Sequence, residues 1–178
     1  NANPPMPFVI AKFAKQIKSI DPEMSKRYAE SAAKNLEGVI AYWDNYGGAK
    51  AKPWARLIME PAICWAALYL DQLYPGNKKY NQEWQKRAKS IIKLVNDKTF
   101  LDEQYMANNT STHIGVTLII DLSFALCLED IIKFHPDSKI AIEAKKALKK
   151  FLDDYLIPSM KTNVFGRVSA LDEKPEKP

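Results

Sequence analysis

Two short stretches of the chain gather residue types that suit sugar recognition: Trp54, Arg56 and Glu60 in the first, Tyr105, Asn109 and His113 in the second. A flat aromatic ring can stack on a pyranose face, and guanidinium, carboxylate, carboxamide and imidazole groups exchange hydrogen bonds with hydroxyls. Trp43, Tyr46, Asn108, Ser111 and Thr112 lie close by in the chain and extend the set. Each must be weighed against a structural role. Trp43 falls on a helical apolar stripe and reads as core. Ser111 or Thr112 reads as a helix N-cap, and His113 as a loop or cap-region histidine rather than a catalytic one. Trp54, beside Pro53 and off any stripe, is balanced between the two readings.

No residue pattern names a reaction. The chain has no Gly-rich phosphate loop, no H-E-x-x-H, no cysteine cluster and no G-x-S-x-G elbow. No catalytic residue, metal ligand or cofactor is therefore expected. Asp71 and Asp121 interrupt apolar helices, where a buried carboxylate must be paired or hydrogen-bonded; a structural partner is the expected role of each. Cys64 and Cys127 also fall within apolar helices. Helices packed in register from their predicted starts would hold them at heights differing by roughly 13–16 Å, at about 1.5 Å per residue. A disulfide needs Cα atoms within about 7 Å, so two buried free thiols are expected.

The formal charge is +5, concentrated in the stretches 78–93 and 139–150, where apolar residues recur at helical spacing. Such a pattern is the wet face of an outer helix. No RNA-binding motif or aromatic-interleaved basic loop accompanies it, so no nucleic-acid partner is expected. The longest apolar run, 114–128, is broken by Asp121 and falls short of the roughly 20 residues a membrane span needs, so no membrane partner is expected either.

These side chains need elements to position them, and a 3.6-residue period predicts six helices. The first carries Val9, Phe13, Ile17 and Ile20 on one stripe. Asp21-Pro22-Glu23 supplies an N-cap, a Pro at the first helical position and an acidic first turn for the second, which is striped by Met24, Tyr28, Ala32, Leu36, Ile40 and Trp43. The third, from about Leu57 to Tyr74, and the fifth, from about Thr112, are apolar nearly all round and demand burial on most sides. The fourth (Tyr80, Trp84, Ala88, Ile91, Val95) and the sixth (Ile140, Ala144, Ala147, Phe151, Tyr155, closed by Pro158) carry one stripe and a charged back. Odd helices inside and even helices outside describe three antiparallel helix pairs in two layers. The repeat of roughly 50–55 residues exceeds tetratricopeptide and HEAT units and suits half of an (α/α)6 toroid, with a longer HEAT-like solenoid as the alternative. The long connections 47–56 and 98–112 then share one end of the bundle, where a cleft is expected. One all-helical domain over 1–171 and a charged, Pro-rich tail over 172–178 complete the expected organisation.

Several phrases line up in order with the central part of glycoside hydrolase family 9, the endoglucanase-like inverting enzymes. "IDPEMSKRY" (20–28) resembles that family's turn between a helix pair, and "WAALYLDQLYPGNKKY" (65–80) resembles its recurring Trp-Ala-Ala unit. "STHIGVTLIIDLSFAL" (111–126) sits where the family has a Gly-containing inner helix, and "TNVFGRV" (162–168) is similar to a downstream loop. The resemblance implies a six-hairpin barrel, of which this chain holds about half, and a β-glucan-type polysaccharide as substrate of the whole. The family's paired-Asp motif and its late Glu motif are both missing here. An inverting glycosidase needs two carboxyls about 6.5–9.5 Å apart, so no catalytic residue carries over and the isolated chain is expected not to hydrolyse β-glucan.

The alternatives are a helical-repeat scaffold that binds protein or peptide, and part of another six-hairpin carbohydrate-active enzyme such as a lyase or glycuronidase. The partner expected of the leading reading is an oligo- or polysaccharide bound through the full-length parent, which would be secreted or periplasmic. Self-association through exposed barrel edges is expected as well, because terminal helices of a half-ring lack neighbours.

Overall fold

The computed structural model describes residues 6–46, 48–51, 53–98 and 114–160. Six long helices carry the chain: α1 (Met6–Ile17), α2 (Pro22–Tyr46), α3 (Pro53–Leu73), α4 (Lys78–Asn96), α5 (Ile114–Phe134) and α6 (Lys139–Phe151). They pack largely as antiparallel pairs. α3 is the hub, touching α1, α2, α4 and α5, while α4 in turn touches α6. α1, α3 and α5 thus form one row, with α4 and α6 set behind it. α2 packs on α1 and α3 and is bridged to α4 by the ion pairs Glu37–Lys79, Asp44–Lys86 and Asp44–Arg87.

The turns between paired helices follow the local chemistry. Asp21 Oδ1 accepts from Met24 N at 2.9 Å, capping α2 with Pro22 at its first position. The α3–α4 turn needs φ +84° at Gly76, a left-handed value that glycine adopts without strain. Asn77 then caps α4 by accepting from Lys79 N at 3.0 Å. Ser138, following the His135-Pro136-Asp137 turn, caps α6 by accepting from Ala141 N at 3.1 Å.

The core confirms the predicted character of α3, in which every residue from 59 to 71 is buried. Trp84, Ala88, Ile91 and Val95 of α4 and Ile140, Ala144, Ala147 and Phe151 of α6 are buried as the stripes predict. The stripes of α1 and α2 need correcting. Val9 (54% exposed), Phe13 and Ile20 face outward, and Pro7, Ala11 and Ala14 are buried instead. In α2 the buried line is Ser25, Ala29, Ala32, Leu36, Val39 and Trp43, with Met24 and Tyr28 exposed. Small residues at this seam let the two helices approach closely, and Ser25 Oγ donates to the Ala14 carbonyl at 2.8 Å. α5 is likewise less enclosed than predicted, since Leu122 and Leu126 are exposed on a face that neither α3 nor α6 covers.

Two boundaries also move. α3 starts at Pro53, so 53–56 belong to the helix rather than to a loop. The last helix does not stop at Pro158: a π-helical stretch (Leu152–Leu156) leads into a final short turn, Ile157–Met160. Pro158 has no N–H to give the i−4 carbonyl, and the ladder has already widened, with Ile157 N donating to Leu152 O. The thiols are buried and free as expected, but the height argument fails. Cys127 Sγ lies 3.7 Å from the Pro61 carbonyl, one turn before Cys64. Burial first, then the neighbouring Cys64, push the Cys127 thiol well above its ordinary pKa, so it stays protonated.

Candidate functional site

At the end of the bundle where α3 begins, a cleft of about 200 Å³ is lined by Asp44, Gly48, Arg56, Glu60, Lys86, Arg87 and Ser90. Three helices and one turn build it. Asp44 stands in the last turns of α2, Arg56 and Glu60 in the opening turns of α3, and Lys86, Arg87 and Ser90 on the second half of α4, which runs antiparallel to α3. Gly48 opens the short 3-10 turn Gly48–Lys50 with φ +44°, a conformation that favours glycine.

Arg87 organises the cleft. Its side chain is 4% exposed and its guanidinium reaches three carboxylates. Nε donates to Glu83 at 2.7 Å, one NH2 donates to Asp44 at 2.7 Å, and NH1 approaches Glu60 Oε1 at 3.4 Å. Burial works against the charge on Arg87, but Asp44, Glu60 and Glu83 outweigh it and raise the pKa above the ordinary arginine value. For Asp44, burial pushes the carboxyl up, yet the hydrogen bond and charge of Arg87, joined by Lys86, prevail and hold it below the usual value.

Glu60 is the deep residue of this cleft. It is 5% exposed, and Oε1 accepts from Trp43 Nε1 at 2.7 Å. Its other oxygen, Oε2, is buried and has no hydrogen-bond partner among the described residues. A buried carboxylate oxygen without a donor is costly. That oxygen is shut off from solvent, while the more exposed Ser90, Lys86 and Asp44 line the accessible part of the cleft.

Of the residues singled out from sequence, the structure brings Arg56 and Glu60 together in one cleft. Trp54 lies in the first turn of α3, its side chain outside the described residues; Tyr105, Asn109 and His113 lie outside them altogether. Trp43 is core, as its stripe predicts, and also supports Glu60. Sequence reasoning missed Asp44, Lys86, Arg87 and Ser90. The signal for Arg87 was available: it stands three residues after Trp84 and four before Ile91, on the buried stripe of α4, with Glu83 one turn earlier.

Two further polar clusters have structural roles. Asp71 accepts from Trp84 Nε1 at 3.1 Å and Asn81 at 3.4 Å, with His135 Nε2 at 3.5 Å; this is the structural pairing expected of it, while the Asp121 side chain lies outside the described residues. Asp130 of α5 accepts from Trp65 Nε1 at 2.5 Å and Tyr69 Oη at 3.0 Å of α3. Phe8 of α1 stacks on Trp65 with ring centroids 3.8 Å apart, so this cluster ties α1, α3 and α5 together. Among the described residues no group of three or more His, Cys, Asp or Glu is placed to hold a metal ion, and no helix is long and apolar enough to cross a membrane.

What the geometry defines is an all-α chain of paired helices with a small cleft at one end, lined by two carboxylates and three cations. No protein family, no curated protein and no solved structure matches the chain.

Proposed function

We propose that the chain is a section of a glycoside hydrolase-like, polysaccharide-degrading protein, and that the cleft around Glu60 is a saccharide subsite. The observation that carries this reading is a cleft whose lining sets the carboxylate of Asp44 beside the donors Lys86 and Ser90. Hydroxyls can donate to the Asp44 carboxylate and accept from Lys86 or Ser90, a mixed demand that a polyol meets and an apolar ligand does not. The paired helices with α1, α3 and α5 in one row favour part of an α/α toroid as the wider architecture. No side chain here is assigned to bond cleavage, and the chain alone binds without hydrolysing. Titration with cello-oligosaccharides should produce a saturable change in tryptophan emission, because Trp43 hydrogen-bonds directly to Glu60. A flat response from a folded sample would remove the proposal.

The exposed edge formed by Val9, Phe13, Ile20, Met24 and Tyr28 supports a second part of the reading, self-association. Phe13 and Tyr28 meet edge-on with centroids 5.0 Å apart, giving a continuous apolar strip across α1 and α2. Sedimentation equilibrium should show mass rising with concentration, and Val9→Lys with Phe13→Glu should abolish that rise. A monomer at every concentration would contradict it.

A further inference from the structure

We infer that Cys64 and Cys127 are the two halves of a disulfide site joining α3 to α5, oxidised by a small-molecule disulfide of the glutathione class. The pairing holds whether or not the cleft takes a sugar.

The placement of the two sulfurs supports it. Cys127 Sγ lies 3.7 Å from the Pro61 carbonyl oxygen of α3. In an α-helix the carbonyl of residue i points at the N–H of residue i+4, so that oxygen stands beside Trp65 N, at the height of Cys64. The Cys127 sulfur therefore meets α3 at the turn that carries Cys64. The two side chains are in hydrogen-bond contact, which acts with burial to hold the Cys127 thiol in its protonated form. Both residues are fully buried, so the sulfurs face each other inside the α3–α5 packing.

Closing the bond asks little of the surroundings. Cys64 Sγ now donates to the Trp84 carbonyl at 3.4 Å, and a thiol is a weak donor. That carbonyl belongs to α4, whose own ladder supplies it with the N–H of Ala88. Turning the sulfur from α4 towards α5 strands no polar group.

Burial also decides when the bond forms. Neither sulfur is exposed in the folded chain, so exchange takes place during folding or on opening of the α3–α5 contact. One cysteine attacks the small disulfide and releases one small thiol; the second attacks the mixed disulfide and releases the other. Two protein thiols are oxidised, and one small disulfide is reduced to two thiols that carry away the protons. The same packing then shelters the bond from reductants. It closes a loop of roughly 60 residues, which restricts the unfolded chain and should raise Tm by about 10 °C.

Refolding the denatured chain in mildly alkaline buffer with oxidised and reduced glutathione tests the pair. The product should be a single chain lighter by two hydrogens, giving a Cys64–Cys127 cross-linked peptide on proteolysis. Its Tm should stand about 10 °C above that of the same protein unfolded, reduced and refolded without oxidant. Chain secreted through an oxidising compartment and never unfolded should carry the same cross-link, which decides the matter should refolding fail. Two alkylatable thiols in either preparation, glutathione adducts in place of the cross-link, or a cross-linked chain that melts no higher than the reduced one would overturn the pairing.

Discussion

Replacing Arg87 with alanine should lower the stability of the folded chain by about 3–5 kcal/mol, among the largest effects of any single change. The guanidinium is buried and meets Glu83, Asp44 and Glu60. Removing it leaves Glu60, itself 7% exposed in its side chain, as a buried carboxylate whose remaining hydrogen-bond donor among the described residues is Trp43. Desolvation of that charge, rather than loss of one ion-pair energy, sets the size of the effect. Arg87→Lys keeps a charge but loses the planar fork that serves three partners, and should fall between wild type and Arg87→Ala. Adding Glu60→Gln to Arg87→Ala should recover part of the loss by removing the stranded charge. Urea unfolding of the four proteins measures this, and a loss under about 1 kcal/mol in Arg87→Ala would mean the network behaves as a surface ion pair. Acid should act on the same network. The depressed Asp44 pKa contributes stability that is present above its unfolded value, about 3.9, and is lost as pH falls through the folded value. Asp44 is 41% exposed, so its share of the acid effect is small.

Trp84→Ala should be comparably damaging, at about 3–5 kcal/mol, for a different reason. Trp84 is 2% exposed and stacks on His135 with centroids 4.5 Å apart, so its removal opens a cavity where α3, α4 and the α5–α6 turn meet. It also takes from Asp71 its shortest hydrogen bond, Nε1 at 3.1 Å. Trp84→Phe keeps most of the apolar area and loses that bond, and should cost less than half as much. The contact has a pH signature. Burial lowers the His135 pKa, with Asp71 opposing, so the fold favours neutral imidazole. Stability should be full above the unfolded histidine value, about 6.5, and decline as pH falls through the folded value. In Trp84→Ala, with the ring uncovered, this decline should flatten; thermal unfolding across that range would show it, and an unchanged profile would remove Trp84 as its cause.

The sequence discloses helix count and burial more readily than helix orientation. The apolar density of α3 and the Asp21, Pro75-Gly76 and His135-Pro136 turns were legible because they are local. The faces of α1 and α2 were not. A line drawn through residues four apart drifts by about 40° per step from a helix of 3.6 residues per turn, and on α1 large apolar side chains drew the stripe towards Val9, Phe13 and Ile20. Ala11 and Ala14, small and easily overlooked, mark the true seam. Register between helices was equally hidden: nothing in the spacing of Cys64 and Cys127 reveals that Cys127 lies level with Pro61. Two of the seven residues that line the cleft were legible for a similar reason. Arg56 and Glu60 stood out beside Trp54 in one segment, whereas Asp44 and Ser90 enter the cleft only through the packing of α2 and α4 on α3.

A crystal structure of the chain soaked with cellobiose would show whether the cleft is a saccharide subsite. One sugar ring should occupy the cleft, with a hydroxyl about 3 Å or less from Asp44, Lys86 or Ser90 and the second ring directed to solvent. Cellobiose bound elsewhere on the chain, or a cleft holding only water at saturating sugar, would contradict it.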